Sequence, residues 1–330
     1  MKQFLQKKAK LVFLCMLVLL TCTACANPRG RDGKTLADQI IASEETTIDA
    51  SKINYKDISD KKLKKEIKKN IKDGQYTIQP TTFKNSMSKG WFEGLIVWPI
   101  AQIINLISSK TDAGVGIILT TLLIQMLVFV FTRKSQMSTQ RMQEIQPEIQ
   151  KIQNKYKDKT DERSKMQMAQ EMQNIYQKYD IHPFGPMLIT FIQLPIMMGM
   201  YYATMRSVSV VSGSFMGISL AGTPLDGFKA FDIAYISIYV LMVIFYIVSM
   251  KLPQWLKKWQ DKKDNVKVKK YAQEETNPMA NSMNMSMYFM TAMICIMYIS
   301  WPMAMSFYWL VSSVIRVCQS LILHQVMNKK

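Results

Sequence analysis

Long apolar runs alternate with strongly basic stretches along this chain, and five of the runs are long enough to cross a bilayer. A hydrocarbon layer of about 30 Å needs about 20 apolar residues in a helix. The candidate spans are 113–131, 187–205, 233–250, 283–300 and 304–325. This segregation excludes a single water-soluble globule and predicts an all-α polytopic membrane protein, with its core in residues 111–325.

The first 24 residues have the order typical of a bacterial signal peptide. Lysines precede the apolar run 11–20, and small residues follow it. Ala24-Cys25 is similar to a lipoprotein processing site, at which Cys25 would receive a diacylglyceryl thioether. Cleavage by an ordinary signal peptidase, without a lipid, is the alternative. In both cases the segment that follows is predicted to lie outside the cytosol.

Residues 25–90 form a basic external segment in a chain whose formal net charge is +18. Such an excess suits nucleic acid, anionic lipid or acidic protein, and a secreted segment would not meet nucleic acid. Leu63, Ile67 and Ile71 recur at i, i+4 and i+8 among lysines, which predicts a basic amphipathic helix. We expect it to rest on anionic lipid or wall polymer, and a solvated, partly disordered spacer is the alternative. Residues 91–110 predict an interfacial amphipathic helix.

Charge in the loops orients the spans. Segment 133–180 carries ten Lys and Arg and segment 251–281 carries eight, whereas the loop between spans two and three carries only Arg206 and Lys229. Cytosolic loops are enriched in these residues. The N-terminus is therefore predicted to lie outside and the short tail 326–330 in the cytosol.

The first cytosolic loop, 133–180, has its own helical periodicity. Apolar residues recur at spacings of three and four in two stretches, 142–156 and 168–179, which predicts an antiparallel helical hairpin. Pro147 lies inside the first stretch and is expected to kink it. The basic hairpin suits docking of the ribosome or a targeting factor, and a solvated connector is the alternative.

Polar side chains in three spans carry the functional signal, because hydrocarbon cannot satisfy them. Helical spacing collects each set on one face. At 1.5 Å per residue, Gln125 and Arg316 lie about 16 to 18 Å from the outer ends of their spans. The candidate groove residues are Thr121 and Gln125 on span one, Thr190 and Gln193 on span two, and Ser312, Arg316, Gln319 and Ser320 on span five.

Arg316 decides between two interpretations of these polar residues. An arginine at mid-depth costs about 2.5 to 3.5 kcal/mol on insertion scales, and none of the five spans contains an Asp or Glu between its ends. A water-filled groove lined by spans one, two and five would hydrate this cation and offer it to a passing polypeptide. Polar contacts between helices, with Arg316 reaching toward the interface, are the alternative.

Enzymatic chemistry finds little support in the sequence. The chain has five cysteines and two histidines, and Cys22-Thr-Ala-Cys25 is not accompanied by histidines, so zinc binding and thiol catalysis are both disfavoured. A glycine-rich phosphate loop is also absent from the sequence. We expect a non-enzyme that needs no metal or other cofactor.

Several segments, in this order, resemble the YidC-type membrane protein insertases in their short, lipoprotein-like form. The resemblance covers residues 91–325 and rests on Trp98-Pro-Ile-Ala, on the stretches 114–124 and 145–156, on Gln193-Leu-Pro-Ile followed by Tyr201-Tyr202, and on Tyr308-Trp-Leu-Val-Ser312 with Gln319. It implies five transmembrane helices around a hydrophilic groove, a cytosolic helical hairpin, and insertion of small membrane proteins alone or with the Sec translocon.

Two departures from this family pattern affect the site. The family commonly places its groove arginine in span one, where this chain has Gln125, and Met303-Ala-Met305 replaces small residues before the Tyr-Trp pair. We hypothesise that Arg316 supplies the charge from span five. The expected partners are nascent membrane proteins, the Sec translocon, ribosome or signal-recognition factors at the hairpin, and membrane lipids, with the chain acting as a monomer. A small transporter or channel with an anion pathway and a structural assembly scaffold are the alternative functions.

Overall fold

The computed structural model describes residues 28–157, 159, 161–181, 185–263, 289 and 291–328. These residues form two compact units. The first contains the described residues up to Thr120 together with Leu194–Gly222 and Pro302–Met305, and the second contains Thr121–Gln193, Thr223–Trp301 and the described residues from Ser306 onward. The predicted signal peptide and Cys25 lie outside the described residues.

Helices dominate the structure, and the strands are short. The helices are α1 (Lys61–Asn70), α2 (Phe83–Lys89), α3 (Trp98–Ser108, preceded by a π-helical turn at Glu93–Val97), α4 (Ala113–Glu144), α5 (Gln146–Lys155), α6 (Glu162–Lys178), α7 (Gly185–Arg206), α8 (Val208–Ser212), α9 (Pro224–Ala230), α10 (Ile233–Lys263) and α11 (Met303–Asn328). The strands are β1 (Thr35–Leu36), β2 (Thr46–Asp49), β3 (Ile53–Asn54), β4 (Gln75–Ile78), β5 (Ser214–Phe215) and β6 (Ile218–Ser219).

Four helices in the described part of the chain are long and apolar enough to cross a membrane, which confirms the polytopic helical class. They lie at Ala113–Met142, Leu188–Arg206, Ile233–Gln260 and Met303–Val326, and correspond to predicted spans one, two, three and five. Predicted span four, 283–300, falls partly outside the described residues, and its described residues 291–298 are helical. Tyr239 of α10 donates a hydrogen bond of 2.7 Å to the Cys295 carbonyl of that segment.

The segment predicted to be external, which we call the external segment, is described from residue 28 and is folded rather than a spacer. Strand β2 pairs antiparallel with β4, from Thr46 opposite Ile78 to Asp49 opposite Gln75, and β1 pairs parallel with β3. Isoleucines from the strands and loops form a core with two valines of α8. The fully buried members of this core include Ile40, Ile48, Ile53, Ile58, Ile67, Ile78, Val208 and Val211.

The predicted basic helix exists as α1, but its apolar face has a different partner from the one expected. Asp60 caps the helix by accepting hydrogen bonds from the backbone of Lys62 and Leu63, and Ile67 is only 3% exposed. Ile67 and Leu63 pack into the core of the external segment. The protein itself therefore covers the apolar face, which is not available to lipid, and the basic face is the one that remains exposed.

Backbone and side-chain hydrogen bonds join the external segment to the C-terminal end of span two. The Ile41 amide donates to the Arg206 carbonyl at 2.6 Å, and the Val208 amide donates to the Ile41 carbonyl at 3.0 Å. Asn105 of α3 donates to the same Ile41 carbonyl at 2.8 Å and accepts from the Ser207 hydroxyl at 2.5 Å. The buried side-chain amide of Asn105 thus links α3 to Ile41 and to Ser207, which precedes α8.

Arg206, which was counted among the charges between spans two and three, is a buried ion-pair partner. Its guanidinium donates to Glu93 at 2.6 Å and to the Gln39 carbonyl at 2.7 Å, and only 5% of its side chain is exposed. Lys89 lies 3.9 Å from the same carboxylate, and burial lowers the pKa of Lys89. Buried charges require such partners, so Arg206 has a structural role.

The hairpin predicted to be cytosolic has the predicted pair of helices, α5 and α6, which pack around Ile145, Ile149 and Ile181. The predicted kink at Pro147 is wrong in detail. Helix α4 ends at Glu144, and Pro147 lies in the first turn of the separate helix α5. A proline is tolerated there because the first-turn amides have no intrahelical acceptor.

An exposed ion pair joins the two hairpin helices. Lys155 donates to Glu171 at 2.5 Å and the Tyr156 hydroxyl donates to the same carboxylate at 2.9 Å. These hydrogen bonds lower the pKa of Glu171 and raise that of Lys155. Solvent screens this pair, so we expect it to contribute little to stability.

The two ion pairs provide a matched test of burial. In the variant Glu93→Gln, the buried Arg206 guanidinium loses its carboxylate, and we expect the free energy of unfolding to fall by about 3 kcal/mol. In the control Glu171→Gln, the exposed pair is lost and we expect no measurable change. Reversible unfolding of the full chain in mixed micelles measures both. Equal effects of the two substitutions would show that Arg206 is not held as described.

Candidate functional site

A buried hydrogen bond joins spans one and five in the second unit. Gln125 of α4 donates through Nε2 to the Ser312 hydroxyl of α11 at 3.1 Å. Gln125 is 5% exposed, and Ser312 is fully buried. Thr121, one turn before Gln125, is also fully buried. The polar face of span one therefore packs within the protein, while the opposite face presents exposed apolar side chains such as Leu123 and Leu127.

Span two joins the same cluster through Tyr308. Gln193 of α7 donates to the Tyr308 hydroxyl at 3.0 Å, and that hydroxyl also interacts with the side chains of Ser312 and Gln125. Tyr308 is fully buried. We call Gln125, Gln193, Tyr308 and Ser312 the buried polar layer. Because hydrocarbon offers no hydrogen bonds, their mutual pairing stabilises the association of spans one, two and five.

Arg316 lies one turn beyond Ser312 and has an aromatic environment. It is partly exposed and donates to the Ser313 hydroxyl at 3.0 Å. Its guanidinium carbon lies 5.6 Å from the ring centroid of Trp309 and 6.0 Å from that of Tyr246. Within the described residues, no carboxylate lies within 4.0 Å of this guanidinium. The cation is stabilised by aromatic faces rather than by an anion.

The aromatic neighbours of Arg316 form a cluster of their own. Trp309 stacks on Tyr298 with ring centroids 4.9 Å apart, and Tyr246 meets Trp309 edge to face at 6.3 Å. Tyr246 belongs to α10, which is span three. The sequence interpretation assigned the groove to spans one, two and five, and did not include this contact of Arg316 with span three.

The remaining predicted site residues are not enclosed, and Gln193 of the buried polar layer is itself half-buried. Gln319 and Ser320 of α11 are half-buried, and Thr190 of α7 is exposed. The eight candidates therefore divide into two sets. In one set, Gln125, Gln193 and Ser312 form hydrogen bonds between helices and Thr121 is buried. The other set, with Arg316, is half-buried or exposed.

Three residues at this site were not among the sequence candidates: Tyr308, Trp309 and Tyr246. Helical spacing could have identified two of them. Tyr308 lies one turn before Ser312, and Trp309 lies two turns before Arg316, so each shares a helix face with a candidate residue. Tyr246 had no such signal, since a tyrosine inside an apolar run predicts no partner. The described residues contain no group of three His, Cys, Asp or Glu side chains suited to a metal.

Comparison with known proteins covers most of the chain, including every candidate groove residue. A family model described as 60Kd inner membrane protein matches residues 105–330. The chain is similar to Membrane protein insertase YidC 1 of Streptococcus pyogenes, with 30% identity over 237 residues, or 72% of this chain and 75% of the relative. It is also similar to Membrane protein insertase YidC of Enterococcus faecalis (30%, covering 72% and 76%) and to Membrane protein insertase MisCA of Bacillus subtilis (27%, covering 72% and 80%).

The aromatic support of Arg316 can be measured directly. In the variant Tyr246→Leu the guanidinium loses one aromatic face, whereas Tyr246→Phe retains it. We expect Tyr246→Leu to lower the free energy of unfolding by about 1 kcal/mol more than Tyr246→Phe does. In an Arg316→Gln background this difference should disappear, because there is no cation to support. Reversible unfolding in mixed micelles gives the four values. A difference that persists without Arg316 would reflect ring packing alone.

Proposed function

The chain belongs to the 60Kd inner membrane protein family, which includes the YidC insertases, and we propose that it inserts small membrane proteins into the plasma membrane through a hydrated groove that contains Arg316. It works alone or together with the Sec translocon. Its substrates are nascent membrane proteins with a short polar segment that must cross to the outside.

The observation that carries the groove proposal is the environment of Arg316. A guanidinium at mid-depth in hydrocarbon costs about 2.5 to 3.5 kcal/mol even on insertion scales, and the described part of the chain supplies it with no carboxylate. Trp309 and Tyr246 offset part of this cost. Water offsets more of it and leaves the charge available to an anionic group on the substrate.

The buried polar layer forms one end of the groove in this proposal. Gln125, Gln193, Tyr308 and Ser312 hydrogen-bond to one another across three spans, so this part of the bundle supplies partners from within the protein. Beyond Ser312, toward the C-terminus of α11, the polar residues Arg316, Gln319 and Ser320 are half-buried. The groove in this proposal begins at the enclosed layer and opens along α11 toward the cytosol.

Insertion then proceeds in three steps. The hairpin α5–α6 receives the nascent chain, with a ribosome or signal-recognition factor at its basic surface. The groove next hydrates the polar external segment of the substrate, and Arg316 holds its acidic side chains. Partitioning of the substrate span into lipid completes the transfer. The groove accelerates the process because it lowers the desolvation barrier for polar groups.

The orientation and the anchor follow from the same proposal. The N-terminus lies outside and the C-terminus in the cytosol, with the basic loops inside, in accord with the positive-inside rule. Cys25 is lipidated after signal cleavage, which tethers the external segment to the outer leaflet. The interfacial placement of residues 91–110 is supported by exposed apolar side chains, which are Trp91 and Leu95 before α3 and Leu106 within it.

Reconstitution with paired substrates tests the role of Arg316. The full chain in liposomes receives one short single-span substrate with an acidic external tail and a second whose tail is neutral. A hydrogen bond to a charged group contributes about 1.5 to 3 kcal/mol, so we expect Arg316→Gln to slow insertion of the acidic substrate about tenfold. Arg316→Lys should retain most of the rate because it keeps the charge.

The neutral-tailed substrate is the matched control, and its insertion rate should change little in either variant. Equal slowing of both substrates would indicate a packing defect, and normal insertion of the acidic substrate by Arg316→Gln would exclude the proposed role of this residue. Chloride and phosphate flux in the same liposomes separates an insertase from a small anion transporter, which would conduct without any substrate protein.

A further inference from the structure

One face of helix α1 carries a dense cluster of lysines. At 3.6 residues per turn, five of them fall within an arc of about 120° on the side opposite the buried Ile67. All five are exposed. We call Lys61, Lys62, Lys65, Lys68 and Lys69 the lysine face.

The lysine face is electrostatically unfavourable for the protein on its own. Within the described residues, none of the five lysines lies within 4.0 Å of a carboxylate. Lys61, Lys65 and Lys69 follow each other at i, i+4 spacing, where like charges destabilise a helix. Lys61 and Lys62 also lie in the first turn, at the positive end of the helix dipole. Like charges at i, i+4 and lysines at the N-terminal end are both unfavourable for a helix, and a helix that retains them indicates a functional surface.

Insertion of α1 into a bilayer does not explain the lysine face. A helix at a membrane surface buries an apolar face in the lipid, whereas the apolar face of α1 lies in the protein core. In the described residues 28–90, the large hydrophobic side chain that is exposed is Phe83, which belongs to α2 and contacts Trp98 edge to face. The surface around α1 therefore offers charge without an apolar anchor, and this combination suits a polyanion in water.

We propose that the lysine face of α1 binds a linear phosphodiester polymer in the aqueous layer outside the membrane. Phosphates repeated along a flexible chain can neutralise successive lysines and release their counterions. The proposal rests on the external orientation of the N-terminal segment but not on the groove mechanism. Helix α1 lies outside residues 105–330, so the family match does not cover it.

Titration of the full chain in phosphatidylcholine nanodiscs with synthetic poly(glycerol phosphate) tests this site. The variant Lys61→Gln, Lys65→Gln, Lys68→Gln should bind the polymer at least about tenfold more weakly at 0.1 M salt, and the slope of log affinity against log salt should become shallower by about 2. The same variant should unfold at a higher temperature without polymer, because like-charge repulsion is relieved.

The control variant Lys84→Gln, Lys110→Gln, Lys229→Gln removes the same charge from exposed lysines elsewhere and should keep its affinity for the polymer. An equal loss of polymer affinity in both variants would overturn the proposal, because it would show that binding depends on the net charge of the protein and not on the lysine face. So would tighter binding of polyglutamate than of the polymer, which would indicate an acidic protein partner. Absence of polymer binding, with α1 protected from hydrogen exchange only in phosphatidylglycerol nanodiscs, would assign the lysine face to lipid headgroups instead.

Insertion assays distinguish the function of the lysine face from that of the groove. The lysine variant should insert the acidic-tailed substrate at the normal rate, and Arg316→Gln should bind the polymer normally. Failure of the groove proposal would therefore leave polymer binding intact, and loss of polymer binding alone would not affect insertion.

Discussion

Hydrocarbon cannot form hydrogen bonds, and this constraint governs the polar residues of the spans. A buried polar group without a partner inside the protein is costly there, and within the described spans the exceptions include Thr120 Oγ1 and Trp309 Nε1. Gln125 finds its partner in Ser312, and Gln193 finds its partner in Tyr308. Once these side chains are paired across three helices, the enclosed end of the bundle has a fixed arrangement. Arg316, one turn further along α11, contacts a hydroxyl and two aromatic rings instead, and the role proposed for it depends on this difference.

Arg206 and Arg316 differ in the groups that stabilise their charge. Arg206 is enclosed, and the Glu93 carboxylate neutralises its charge while the Gln39 carbonyl accepts from Nε, so its charge is not offered to a ligand. Arg316 is partly exposed, and its described neighbours are a hydroxyl and two aromatic faces. Aromatic faces attract a cation without neutralising its charge. A guanidinium held in this way keeps both its position and its capacity to bind an anion.

The sequence predicted what depends on periodicity and missed what depends on distant contacts. Apolar runs located spans one, two, three and five, and spacings of three and four located the hairpin. By contrast, the apolar stripe of Leu63 and Ile67 suits a lipid surface and a protein core equally well, and only the fold of the strands decided between them. The contact of Tyr246 with Arg316 joins two spans that are far apart in the sequence, and no local pattern encodes it. The buried pair of Arg206 with Glu93 was missed for the same reason.

Helix α1 and span five both place positive charge where it weakens the protein. The lysines of α1 repel each other on a helix that Asp60 and Ile67 hold in place, and Arg316 requires aromatic support within a span. Single charges of this kind are readily replaced by neutral residues at a gain in stability, so their presence needs a reason outside the fold. In both places the charge is accessible and lacks a carboxylate among the described residues. Each therefore suits an anion that the protein does not itself supply, on a polymer in one case and on a passing polypeptide in the other.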